Sequence, residues 1–241
     1  MSVRLRILGY AATLVVHISN IIYMARSASD NPSRDKQVDT FKSLEYRFFT
    51  TWTFMLQIAY AILGISCDLI ALSNSNKKNW IGLPKPLADF RNILFDGLVW
   101  PSSWVVFTVF WSLYVYDRSL IFPVYLDQVI PPLSNHIIHT IIIPVAVWEV
   151  VFRPRSRPET HARNIMQLVL HGSVYFSVLI FTYIERGVWL YPIFAKLYGT
   201  IYFGISILFI CFLFLFFYYI QWPLTYMIHG SDGKLKKKKV L

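Results

Sequence analysis

The feature that most constrains this chain is a series of apolar runs, each about as long as a bilayer is thick. Stretches at roughly 7–25, 46–72, 92–116, 132–152, 164–184 and 197–222 each reach the length, about 20 residues, that a helix needs to cross hydrocarbon. The last contains "ISILFICFLFLFFYYIQW", with no charged residue, while the second and fourth are the most polar. Backbone groups in lipid must be bonded within the spanning structure, which leaves helices or barrel strands. Apolar runs without alternation select helices. The expected fold is therefore all-α: one six-helix transmembrane bundle over residues 1–222, followed by a flexible basic tail at 223–241.

Composition supports this. The chain is 56% hydrophobic and 17% aromatic with only 15% charged residues, which excludes an ordinary soluble domain. A net charge of +10 could suggest nucleic acid, but the cations come in short clusters between apolar runs and form no continuous surface, so the expected partner is the membrane. Arg4 and Arg6, then Lys77, Lys78, Lys85 and Arg91, then Arg153, Arg155, Arg157 and Arg163, and finally Lys234, Lys236, Lys237, Lys238 and Lys239 would share one side. They outnumber Arg26, Arg34, Lys36, Lys42, Arg47, Arg118, Arg186 and Lys196 on the other, which predicts two cytosolic termini. The first run could be a signal peptide cleaved near "ARSAS", but its length favours a retained helix. The final "KKVL" resembles a dilysine retrieval signal, predicting the endoplasmic reticulum; a lipid-attracted basic tail, and a plasma-membrane location, are the alternatives. Cys67 and Cys211 fall inside apolar runs and predict neither a disulfide nor a zinc site.

Polar side chains inside a bilayer are costly and tend to face the bundle interior, so each is a functional candidate. They are His17, Thr50, Thr53, Gln57, Asp68, Asp96, Asn135, His136, His139, Glu149 and His171. In the second run Thr50, Thr53, Gln57, Gly64 and Asp68 recur at helical spacing on one face, which should look inward. Asn135 and His139 share a face of the fourth run. Both runs would enter from the same side, with Thr50 about 6 Å and His139 about 10 Å deep.

That pairing has chemical meaning. A threonine hydroxyl attacks a carbonyl usefully only when a base takes its proton, and neutral histidine is suited to that task. The reaction class would be acyl transfer to Thr50 followed by hydrolysis, on a lipid ester drawn from the bilayer. Asn135 or Gln57 could donate to the oxyanion and Asp117 could orient the imidazole. His136 and His139 also form an HxxH pattern, but no acidic ligand lies nearby, so no metal and no cofactor are expected. Spacing alone equally allows Thr50 to bond its own backbone and the histidines to tie helices together.

At these residues the sequence resembles the androgen-induced membrane proteins, hydrolases of fatty acid esters of hydroxy fatty acids. The similarity runs from about residue 40 to 222 and rests on "RFFT" followed by Gln57 and Asp68, on "FWSLYVYDRSLIFP" with "LDQVIP", on "NHIIHT" and on "WLYP". The resemblance implies an intramembrane threonine–histidine pair. The threonine seven residues before the glutamine is Thr50, with Thr51 and Thr53 close by, and the second histidine of the asparagine-led motif is His139. Such substrates carry a free carboxylate, which Arg118 or Arg186 could hold at the interface. A lipid or small-molecule transporter, or a pH-sensing membrane receptor, would also account for polar inward faces.

Overall fold

The computed structural model describes residues 3–30, 35–74 and 83–230. Among them every regular element is helical, and six helices are long and apolar enough to span a membrane: α1 (Val3–Asp30), α3 (Phe49–Asn74), α4 (Lys85–Leu120), α5 (Pro132–Phe152), α6 (Ala162–Arg186) and α8 (Ile201–His229). Two short helices, α2 (Lys36–Leu44) and α7 (Pro192–Leu197), lie between spans. The protein is a multi-pass integral membrane protein. Large apolar side chains such as Leu208, Met166 and Val169 face outward, as a lipid solvent requires.

α4 is the central helix. Of its most apolar window 67% is buried, against 17–33% in the other five spans. α1 packs along α3, and Gly64 permits the close approach, because a Cβ there would stand 2.7 Å from the Tyr10 ring. Two of the spans carry a widened π-turn just before a proline: Phe95–Val99 ahead of Pro101, and Ile137–Ile141 ahead of Pro144. Proline has no N–H and its ring crowds the carbonyl four residues back, so the regular ladder loosens there. His139 sits in the second of these turns.

Several expected boundaries move. The third span starts at Lys85, behind the Pro84 cap, rather than near 92. The polar stretch before the second span contains α2, capped when the Asp35 carboxylate accepts from Gln37 N–H at 2.8 Å and seated by buried Val38 and Leu44. The sixth run divides: α7 stops before Gly199, whose φ of +81° a helix cannot continue through, and α8 restarts at Ile201. α8 then runs through Pro223 to His229 instead of ending at 222. The last turns are held by Thr225, which meets Arg155, and by His229, bonded to the Val150 carbonyl at 2.7 Å. Arg34, Lys77, Lys78 and the tail lysines, including "KKVL", lie outside the described residues.

The cations assigned to loops also need correction. Arg91 and Arg155 are 4% and 6% exposed and turn into the bundle. Arg91 and Arg6 both pair with Asp68 at 2.8 Å. Glu149 accepts from Tyr10, Tyr60 and Arg153, and Asp96 pairs with Arg155, which also meets Gln221 at 3.0 Å. Unpaired buried carboxylates are too costly to persist, so the positional charge count missed residues drawn inward as counter-ions. This network gathers the start of α1 and α4 and the end of α3 and α5 at one end of the bundle. Thr50 and His139 stand at the opposite end.

Candidate active site

Thr50 lies in the first turn of α3 and His139 near the start of α5, so antiparallel neighbours on α4 bring them to one depth. The Thr50 hydroxyl stands 3.3 Å from His139 Nε2. His139 Nδ1 faces two oxygens of Asn135, Oδ1 at 2.8 Å and the backbone carbonyl at 3.1 Å. A carbonyl can only accept, so Nδ1 carries the proton. Nε2 therefore presents a lone pair, and the Thr50 hydroxyl donates to it. Phe110 of α4 stacks on the imidazole with centroids 3.4 Å apart and planes within 7°, fixing the ring and shielding one face. His139 is buried and Thr50 half-buried.

The pair lines a cavity of about 910 Å³, near the upper end of the range typical of ligand pockets, about 300–1,000 Å³. Its walls are apolar, with Phe49, Phe54, Val109, Ile207 and Phe214 among them. Phe176 of α6 and Phe209 of α8 line it while remaining 38% and 55% exposed, so the cavity reaches the lipid-facing surface between those helices. At the bundle end its rim carries Lys42 and Glu45.

The neighbouring threonines are directed elsewhere. Thr51 donates to the Glu45 carbonyl at 2.8 Å, and Thr53 is buried, does not line the cavity and has no hydrogen-bond partner among the described residues. The face Thr53, Gln57, Gly64 and Asp68 is buried, as the spacing implied.

The remaining candidates take other places. Gln57 donates to Ser103 Oγ at 2.9 Å and to the Ile142 carbonyl at 2.8 Å, and its oxygen is 3.0 Å from His17 Nε2. Both its N–H groups are thus spent on α4 and α5 while its oxygen meets α1, which removes it as an oxyanion donor. Asn135 turns its Oδ1 to the imidazole and does not line the cavity. Asp117 is at the surface, where it accepts from Ser119 N–H at 2.9 Å and lies 3.7 Å from Lys196, so it does not orient His139. Arg118 is held by Asp127, at 2.8 and 2.9 Å, and by the Phe122 carbonyl at 3.1 Å. Arg186 lies beside Glu185 at 3.5 Å, and neither arginine lines the cavity. An exposed carboxylate satisfied locally draws these arginines away, which sequence position could not reveal. His136 stacks on Trp111 and meets Thr140 at 3.2 Å, so the two histidines of the HxxH pattern point to different partners. Phe110 and the tyrosines Tyr175 and Tyr191 border the cavity; Phe110 and Tyr191 fall within "FWSLYVYDRSLIFP" and "WLYP", but aromatic residues abound in every span and only packing shows which of them reach the site.

The chain is 37% identical over 154 residues to the human (Homo sapiens) androgen-dependent TFPI-regulating protein, an alignment covering 63% of this chain and 64% of the relative. It is 41% identical over 154 residues to the Rattus norvegicus protein of the same name, covering 63% of each. The Homo sapiens androgen-induced gene 1 protein is 26% identical over 150 residues, 61% of this chain and 62% of that protein. The chain thus matches somewhat less than two thirds of the length of these relatives. No solved structure matches it. The match to the FAR-17a/AIG1-like proteins extends over residues 7–223, almost every spanning residue described above, and the chain belongs to that family.

Proposed function

We propose that the protein is an intramembrane hydrolase that cleaves fatty acid esters of hydroxy fatty acids, with Thr50 as nucleophile and His139 as base. The observation that carries this reading is the hydrogen bond from Thr50 to a histidine whose other nitrogen is fixed by Asn135, inside a lipid-facing cavity. The family resemblance at "RFFT" and "NHIIHT" supports it independently.

In the reaction Thr50 Oγ1 bonds to the ester carbon while its proton passes to His139 Nε2 and the carbonyl π pair moves to oxygen. Collapse of this intermediate expels the hydroxy fatty acid, which takes the proton from Nε2. Water, deprotonated by the same nitrogen, then releases the second fatty acid and restores Thr50. The 3.3 Å separation is longer than a relaxed hydrogen bond, as such contacts commonly are before substrate binds. The apolar walls take the acyl chains. With Arg118 and Arg186 committed elsewhere, Lys42 at the rim is the cation placed to meet the substrate carboxylate, and it has no ion-pair partner among the described residues. The substrate enters from the bilayer, both termini face the cytosol, and the protein resides in the endoplasmic reticulum.

Fluorophosphonate labelling of the purified protein tests the assignment. Labelling disappears in Thr50→Ala and His139→Ala and persists in Thr51→Ala. Labelling that survives Thr50→Ala refutes the nucleophile, and a wild-type protein that neither labels nor turns over any of a panel of lipid esters favours a transporter or receptor.

A further inference from the structure

Tyr175 of α6 and Tyr191, just before α7, bring their hydroxyl oxygens to 2.9 Å from each other. Both oxygens also accept from the backbone N–H of Phe49, each at 3.0 Å. Only one of the two hydroxyl protons can lie between the oxygens. The other has no acceptor among the described residues, and both tyrosines line the cavity that holds Thr50 and His139. Phe49 immediately precedes Thr50, so the phenol pair is bonded to the backbone one residue from the nucleophile and lines the same cavity. The rings are held in place: Tyr175 packs on Phe49 and edge-on to Trp52, and Tyr191 packs edge-on to Phe48.

We propose that the uncommitted hydroxyl proton of the Tyr175–Tyr191 pair is the donor to the oxyanion formed when Thr50 attacks an ester carbonyl. This rests on the Thr50–His139 reading and supplies what that reading lacks, since the Gln57 N–H groups are committed elsewhere and Asn135 does not line the cavity. While the Oγ1–C bond forms and the Thr50 proton moves to His139, the carbonyl oxygen gains the π pair and the phenol O–H shares its proton with it without transfer. The Phe49 N–H, by donating to both phenol oxygens, polarises their O–H bonds and strengthens the donor. The positive end of α3 adds to the same field.

The pair has a built-in redundancy. Removing one hydroxyl frees the proton of the other, so Tyr175→Phe and Tyr191→Phe should each cost less than about tenfold in kcat. The double substitution should cost about a hundredfold or more, with KM little changed, as loss of a whole oxyanion donor does. A merely structural role, accepting from Phe49 to cap α3, is separated by sign. Fluorinated tyrosine at either position makes the hydroxyl a better donor and a worse acceptor, so it accelerates turnover if the pair serves the oxyanion and slows it if the pair only caps the helix.

The assay is hydrolysis of 4-nitrophenyl palmitate by the full chain in nanodiscs, below the pH at which the fluorophenol ionises, with Thr50→Ala alongside. Inactive Thr50→Ala, a strongly impaired double variant and faster fluorotyrosine proteins are the expected results. With Thr50→Ala inactive, a double variant within about threefold of wild type, or fluorotyrosine proteins no faster than wild type, overturns the tyrosine assignment alone. An active Thr50→Ala overturns the hydrolase reading and the donor with it. If the double variant does not fold, the fluorotyrosine proteins, which keep both hydroxyls, decide.

Discussion

Replacing Asn135 with leucine tests how the imidazole is held. Leucine keeps the branching and the number of heavy atoms but deletes Oδ1, the acceptor 2.8 Å from His139 Nδ1. The backbone carbonyl of the same residue, 3.1 Å from Nδ1, is unaffected by the substitution and still requires the proton on Nδ1. The tautomer therefore survives, and the loss is one of two hydrogen bonds. A hydrogen bond between neutral groups contributes about 0.5–1.5 kcal/mol net. At about 1.4 kcal/mol per tenfold in rate, kcat should fall about twofold to tenfold. Phe110, stacked on the ring, limits any additional loss from ring rotation. The assay is steady-state hydrolysis of a lipid ester in nanodiscs, with fluorophosphonate labelling rates as a second measure. A fall of about 10²–10³ or more would instead mark Asn135 as an oxyanion donor. An unchanged rate would mean that the amide does not orient His139 at all.

Three further outcomes follow from the surrounding contacts. Lys42→Gln should lower kcat/KM for a free-acid substrate about twofold to fivefold relative to its methyl ester, the scale of a partly solvated charge pair. Arg118→Gln, in contrast, should change acid and ester equally, because its guanidinium is bound to Asp127; equal effects in Lys42→Gln would remove the lysine from the site. Glu149→Ala, which leaves Arg153, Tyr10 and Tyr60 without their shared acceptor, should destabilise the bundle by about 3–5 kcal/mol, seen as a large drop in thermal midpoint, and an unchanged midpoint would show the network to be dispensable. His161, in the loop between α5 and α6, accepts from Arg157 at 3.1 Å and is held below the usual imidazole pKa, chiefly by burial and also by the Arg157 charge. The unfolded chain therefore binds this proton more readily, so stability is fully present above about pH 6.5 and declines as pH falls toward the lower folded value. His161→Gln should flatten that decline in thermal midpoint between about pH 7.5 and 5.5; an identical pH profile would exclude the residue as its source.

The number of spans and their helical nature were legible because each run meets, by itself, the length and backbone-bonding demands of lipid, and these are local properties. The inward face of the second span was legible for the same reason: the spacing of Thr53, Gln57, Gly64 and Asp68 alone sets a direction. Thr50 and His139 could be placed at a common depth because rise per residue is fixed, and their side chains do meet. Boundaries followed local apolarity less well. α8 continues past Pro223 because Arg155 and the Val150 carbonyl, distant in sequence, hold its last turns.

Which polar group serves which partner was decided only by packing. Gln57 and Asp117 had suitable chemistry, yet one is consumed by Ser103 and Ile142 and the other by a surface turn. Arg91 and Arg155 were counted as loop cations and instead neutralise buried carboxylates across helices. The resemblance singled out Thr50 beside Thr51 and Thr53, and the structure shows the turn before α3 claiming the Thr51 hydroxyl. In the sequence a hydroxyl, an amide or a guanidinium is only a capacity to bond. Because hydrogen bonds depend on distances of a few tenths of an ångström and each donor can be spent only once, the tertiary structure alone determines which capacities remain for a substrate.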